Sequence, residues 1–192
     1  LCLAGEMEAL VPVLSVHDAR LLGVWLGAAV QALAASPGGH AALVLRGLAR
    51  RAAEEDGQGR AFLGALQAHA RRAEATLPLA CTRVAWQAYG DCAAALVARH
   101  PGDLDFQRAV SVSFNELGDL ALAAGDGAAA RRWFEQGLAI AQRLAQADPD
   151  NAGFQRDLSI SFNKLGDLAV AAGDGAAARR WFEQGLAIAQ RL

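Results

Sequence analysis

Apolar and small side chains return every three or four residues through the C-terminal part of the chain. Phe154, Leu158, Phe162, Leu165, Gly166 and Ala169 fall on one helical face. Ala178, Phe182, Gly185, Leu186, Ala189 and Leu192 then do the same on a second helix. Between the two, Gly173 supplies a helix stop, Asp174 an N-cap and Gly175 a permissive turn position. Asp148-Pro149 and His100-Pro101 break the helices before them, because proline disfavours the α conformation of the preceding residue.

This helix pair is one copy of a tandem repeat. Pro101–Leu144 aligns with Pro149–Leu192 at an offset of 48 residues without a gap, and 35 of the 44 positions are identical. The match is unbroken from Ala123–Leu144 to Ala171–Leu192. Chance does not produce such a run, so the unit is a duplication. Gly118 and Gly137 lie inside the helices of the first copy, where glycine costs roughly 1 kcal/mol against alanine. The compensating gain is close helix approach, with Phe134 seated where a side chain is missing.

Leu117–Ala139, with sequence LGDLALAAGDGAAARRWFEQGLA, resembles a tetratricopeptide repeat. Leu117, Gly118, Gly125, Asp126, Ala130, Phe134 and Gly137 occupy that motif's positions, and Leu165, Gly166, Gly173, Asp174, Ala178, Phe182 and Gly185 occupy them again. Phe114 and Phe162 replace the usual tryptophan, and Ala121 and Ala169 the usual tyrosine; all keep the face apolar. The unit is longer than the family's usual repeat, as in versions found beside signalling modules of large bacterial proteins. The resemblance implies an all-α protein, an α-solenoid of antiparallel helix pairs wound as a right-handed superhelix.

Sliding by the same offset lays residues 53–100 over 101–148. Trp86 then meets Phe134, Ala70 meets Gly118, Ala93 meets Ala141 and Leu96 meets Leu144, with Pro78 at the interhelix loop. His69 and Tyr89 depart from the pattern. The expected organisation is an N-terminal helical region over 1–52, acting as a cap or diverged repeat. A diverged repeat follows over 53–100, then full and truncated repeats over 101–148 and 149–192.

Composition removes several classes of function. Charged residues make up 20% and hydrophobic residues 54%, so the chain carries enough apolar material to fold. A net charge of −2 argues against a nucleic-acid binder. Arginine far outnumbers lysine and alanine abounds, a composition of GC-rich bacterial genomes that also favours helix. The most apolar run, Leu21–Ala35, contains Gln31 and falls short of a membrane span. The opening LCLAGEMEAL is acidic where a signal peptide is basic, so a cytoplasmic excerpt of a longer protein is expected.

Catalytic chemistry finds no support. His17, His40, His69 and His100 are too widely spaced for a helical metal site. Cys81 and Cys92 lie about three turns apart on one expected helix, too far for a disulfide within it. Gly-Asp-Gly at 125–127 and 173–175 lacks the further ligands of a calcium loop. Arg131-Arg132 and Arg179-Arg180 are followed by Glu135 and Glu183 at ion-pair spacing. No cofactor, metal or catalytic residue is expected.

In the family it resembles, the first helices line a concave groove that binds peptides. Those groove positions fall on Val112, Asn115, Glu116, Asp119 and Leu122, and again on Ile160, Asn163, Lys164, Asp167 and Val170. Asn115, Glu116, Asp119, Asn163, Lys164 and Asp167 are therefore the candidate peptide-binding residues. Asparagine amides suit a peptide backbone and aspartates suit a basic partner. Shared descent of two near-copies explains the recurring asparagines and aspartates equally well. The expected function is a non-catalytic scaffold for a protein or peptide partner, with no membrane or nucleic acid involved. The alternative is a sensor or recruitment arm of a larger signalling enzyme. Self-association through an uncapped last helix is the further expectation.

Overall fold

A computed structural model describes residues 59–191. The expectations placed on residues 1–52, including His17, His40 and the apolar run, lie outside these residues. The described residues form six helices and no strand: α1 (Gly59–Thr76), α2 (Leu79–Arg99), α3 (Leu104–Ala123), α4 (Gly127–Ala147), α5 (Ala152–Ala171) and α6 (Gly175–Ala189). None of them is long and apolar enough to cross a membrane. The chain divides into two compact units, Leu1–Pro101 and Gly102–Leu192.

In the first unit α1 and α2 are joined by Leu77-Pro78 alone and bury Leu66, Ala70, Ala73, Trp86, Ala93 and Leu96 between them. Trp86 is fully enclosed, and its Nε1 donates to Glu74 Oε1 at 2.7 Å. Tyr89 meets it edge-on, with ring centroids 5.4 Å apart. His69 and Tyr89, which depart from the repeat pattern, are both core residues. Cys81 and Cys92 are buried free thiols.

The second unit is two helical hairpins, α3–α4 and α5–α6, with α5 laid against α3 and α4. Each hairpin turns through the same device. Gly125 (φ 78°) and Gly173 (φ 74°) adopt the left-handed conformation that ends a helix cheaply only for glycine. Asp126 N–H then donates back to Ala121 O and Gly125 N–H to Leu122 O, each at 2.9 Å, a Schellman arrangement that α5 repeats after Gly173. Asp126 and Asp174 cap the following helices, accepting from Ala129 N–H (2.8 Å) and Ala177 N–H (2.9 Å). Each such cap is worth about 1 kcal/mol. Gly175, expected as a turn position, is instead the first residue of α6, as its counterpart Gly127 is of α4. Once Gly125 and Gly173 have reversed the chain, nothing further is asked of them.

Inside each hairpin a ring fills a glycine. A Cβ built on Gly118 would stand 2.3 Å from Phe134 Cε1, and one on Gly166 would stand 2.4 Å from Phe182 Cε1. Phe114 stacks on Trp133, and Phe162 on Trp181. Ser111 Oγ donates to Gly137 O at 2.9 Å and Ser159 Oγ to Gly185 O at 2.8 Å, locking the crossing. The core between hairpins joins Ala130, Phe134 and Leu138 of α4 to Phe162, Leu165 and Leu168 of α5.

Candidate functional site

The six candidate residues fall into two environments. Asn115 is buried where α3 meets α5, and its Nδ2 donates to Ser161 Oγ at 3.2 Å. Its Oδ1 has no hydrogen-bond partner and lies over Gly137, where an added Cβ would come within 2.8 Å. The asparagine thus serves the seam between hairpins, reaching a serine across it while resting on a glycine. Asp119, on the same stripe one turn further along α3, accepts from Lys164 Nζ of α5 at 2.5 Å. Glu116 is half-buried on α3.

Asn163 and Asp167, the counterparts of Asn115 and Asp119, are both exposed on α5. Asn163 keeps its local seat, since a Cβ on Gly185 would stand 2.6 Å from its Oδ1. No further helix among the described residues covers it. The same stripe of α5 carries Ile160, 39% exposed, and Val170, 60% exposed. On α6, Leu186 is 56% exposed. Ser159, Asn163, Val170, Phe182, Leu186 and Ala189 line an open groove of about 770 Å³ between α5 and α6.

The seam holds two further residues that the recurring identities do not reveal. Arg108 donates through Nε to Asp157 Oδ2 at 2.5 Å and through its terminal nitrogen to Oδ1 at 3.2 Å. That two-point geometry suits guanidinium and carboxylate. Asp157 and Lys164 stand where the first copy has Ala109 and Glu116. The signal was therefore present, among the few positions at which the copies differ. The expected surface pair of the basic doublet, Arg131 with Glu135, spans 3.9 Å between two exposed side chains, so it adds little. Among the described residues no group of three or more His, Cys, Asp or Glu could hold a metal ion.

Two capped helical hairpins of nearly identical sequence, the second stacked on the glycine-seated Phe134 of the first, are the architecture of a helical repeat protein. Residues 110–150 and 160–192 match the tetratricopeptide repeat family, and these segments are tetratricopeptide repeats. Repeats of that family are generally non-catalytic and mediate contacts between proteins, so this part of the chain is an interaction scaffold. No curated protein matches the chain. Among solved structures, that of BtubC (BKLC) from P. vanneervenii is similar at 17% identity over 99% of this chain and 89% of that one. Its TM-score of 0.31 is too low to bear on the fold.

Proposed function

We propose that the second unit binds a protein or peptide partner along the first helices of its hairpins, with α5 as the principal contact. The observation that carries this reading is the exposed stripe Ile160, Asn163, Asp167 and Val170, set at spacings of three and four on one helical face. Two large apolar side chains held in water beside an amide and a carboxylate are what a partner surface requires. Asn163 both donates and accepts, which suits a peptide backbone, and Asp167 favours an arginine or lysine opposite. Glu116 and the Asp119–Lys164 pair extend the polar part of the surface onto α3, whereas Asn115 contributes by fixing α5 in place.

The test confines itself to the exposed positions. A variant carrying Ile160→Glu, Asn163→Ala and Asp167→Ala keeps the helical circular-dichroism spectrum of the parent, because none of the three side chains supports the core. In-cell crosslinking and purification from the native host then lose the partners recovered with the parent. Recovery of every partner by the folded variant rejects the assignment.

A further inference from the structure

The arginine doublets early in α4 and α6 are spaced to pair with the glutamates that follow them, and the structure leaves that pairing almost unmade. Arg131 reaches Glu135 only at 3.9 Å. Among the described residues Arg132, Arg143, Arg179 and Arg180 are exposed and engaged by no carboxylate. Arg132, Gln136, Ala139 and Arg143 follow one another at spacings of four, three and four, so they form one row along α4, every member exposed. The row lies on the side of the helix away from Phe134, Gly137, Leu138 and Ala141, which pack inward. Its two arginines stand eleven residues apart, about 16 Å along the axis, with no acidic side chain between them in the row.

α6 presents the row again as Arg180, Gln184, Ala187 and Arg191, all exposed. On α4 the exposure persists with α5 packed against the helix's other side, so the next hairpin in a stack does not cover this face.

We propose that this outer face of the second helices binds an extended acidic segment of a partner protein. Guanidinium groups engage carboxylates at two points. In an extended chain, carboxylates about five residues apart span the same 16 Å as the arginines of one row. Between those arginines the Gln136 amide both donates to and accepts from a peptide backbone, and the short Ala139 lets that backbone approach. Nucleic acid fits worse. Gly102–Leu192 carries nine basic and twelve acidic side chains, and a net charge of −3 repels a polyanion everywhere beyond the rows. The α5 stripe favours a basic partner and the outer face an acidic one, so the scaffold holds two partners of opposite charge on different helices.

The probe is a fluorescein-labelled peptide of glycine and serine carrying pairs of glutamates about five residues apart. Titrated with the full chain at low salt, its anisotropy is expected to show saturable binding that weakens as salt is added. A peptide with lysine for every glutamate does not bind. Arg132→Gln, Arg143→Gln and Arg180→Gln together weaken binding about tenfold while the helical circular-dichroism spectrum stays unchanged, since all three side chains are exposed. Ala152→Glu with Arg156→Glu, which shifts net charge equally at exposed sites of α5, leaves binding within about twofold. An equal loss in that variant overturns the proposal, because binding then follows net charge alone. The charge-neutral variant Ile160→Glu, Asn163→Ala, Asp167→Ala keeps the peptide; its loss there places the peptide on the first helices and also overturns the proposal. So does tighter binding of a single-stranded oligonucleotide or an anionic lipid vesicle that the arginine variant abolishes, since the occupant is then a phosphate polymer or a membrane.

Discussion

Leu138 and Leu186 occupy the same place in two helices that share one sequence from Ala123–Leu144 to Ala171–Leu192. Propensity, the N-terminal cap and the neighbours on either side are therefore matched, although α4 runs on to Ala147 and α6 ends at Ala189. What differs is cover: Leu138 is 8% exposed within the inter-hairpin core, and Leu186 is 56% exposed. Truncating Leu138 to alanine removes buried methyl groups and leaves a cavity among Phe134, Phe162 and Leu165, a loss of about 2–5 kcal/mol. Truncating Leu186 removes a side chain already more than half in water. At about 25 cal/mol per Å² only a fraction of the transfer gain is lost there, on the order of 0–1 kcal/mol, and alanine's better helix propensity offsets part of it. The expected gap between the two variants is thus about 2–4 kcal/mol, read by urea unfolding of both variants beside the parent. Repeat arrays can unfold piecemeal, so amide hydrogen exchange of α4 supplies a second readout, with protection falling in Leu138→Ala alone. Equal losses for the two leucines would refute the claim that cover by α5 distinguishes the hairpins.

Gly118→Ala puts a methyl 2.3 Å from the ring of the fully buried Phe134, so it lowers stability by about 1–3 kcal/mol despite alanine's propensity, as thermal unfolding will show. A double-mutant cycle on Asp119 and Lys164, both partly exposed, gives a coupling of about 0.2–1 kcal/mol that shrinks in added salt; a larger, salt-insensitive value contradicts this reading. Burial, helped by the neighbouring charge of Asp91, pushes the Cys92 thiol from 9.0 up to about 12. Its contribution to stability is therefore complete below pH 9.0 and is lost as pH climbs toward 12, and a thiol reagent at neutral pH modifies it only after unfolding. Burial, and then the charge of Arg72, holds His69 below 6.5. Its contribution is complete above pH 6.5 and falls on acidification, so a His69→Leu variant shows a flatter loss of stability between neutral pH and mild acid.

Much of the fold was legible because its causes are local. A stripe of apolar positions at helical spacing, a glycine obliged to turn left-handed, and an aspartate able to accept from an N-terminal amide act within a few residues of one another. Gly125, Gly173, Asp126 and Asp174 accordingly do in the structure what their neighbours in sequence imply. Gly175 was misplaced because two glycines flank each aspartate, and only one of them is needed to reverse the chain.

The candidate site was harder to read because its cause is not local. Asn115 and Asn163 share the flanking Ser-Phe and Leu-Gly-Asp and rest on equivalent glycines, yet one is buried and the other faces water. The environment of each is decided by whatever lies on the next hairpin, 46 positions away in the bond from Asn115 to Ser161. Repetition hides this, since it makes two different environments look like two instances of one role. Divergence restores it. Where α5 departs from α3, at Asp157 and Lys164, it gains the two charges that Arg108 and Asp119 engage. In a young tandem repeat the shared residues therefore describe how a hairpin is built, and the unshared ones describe what it rests against.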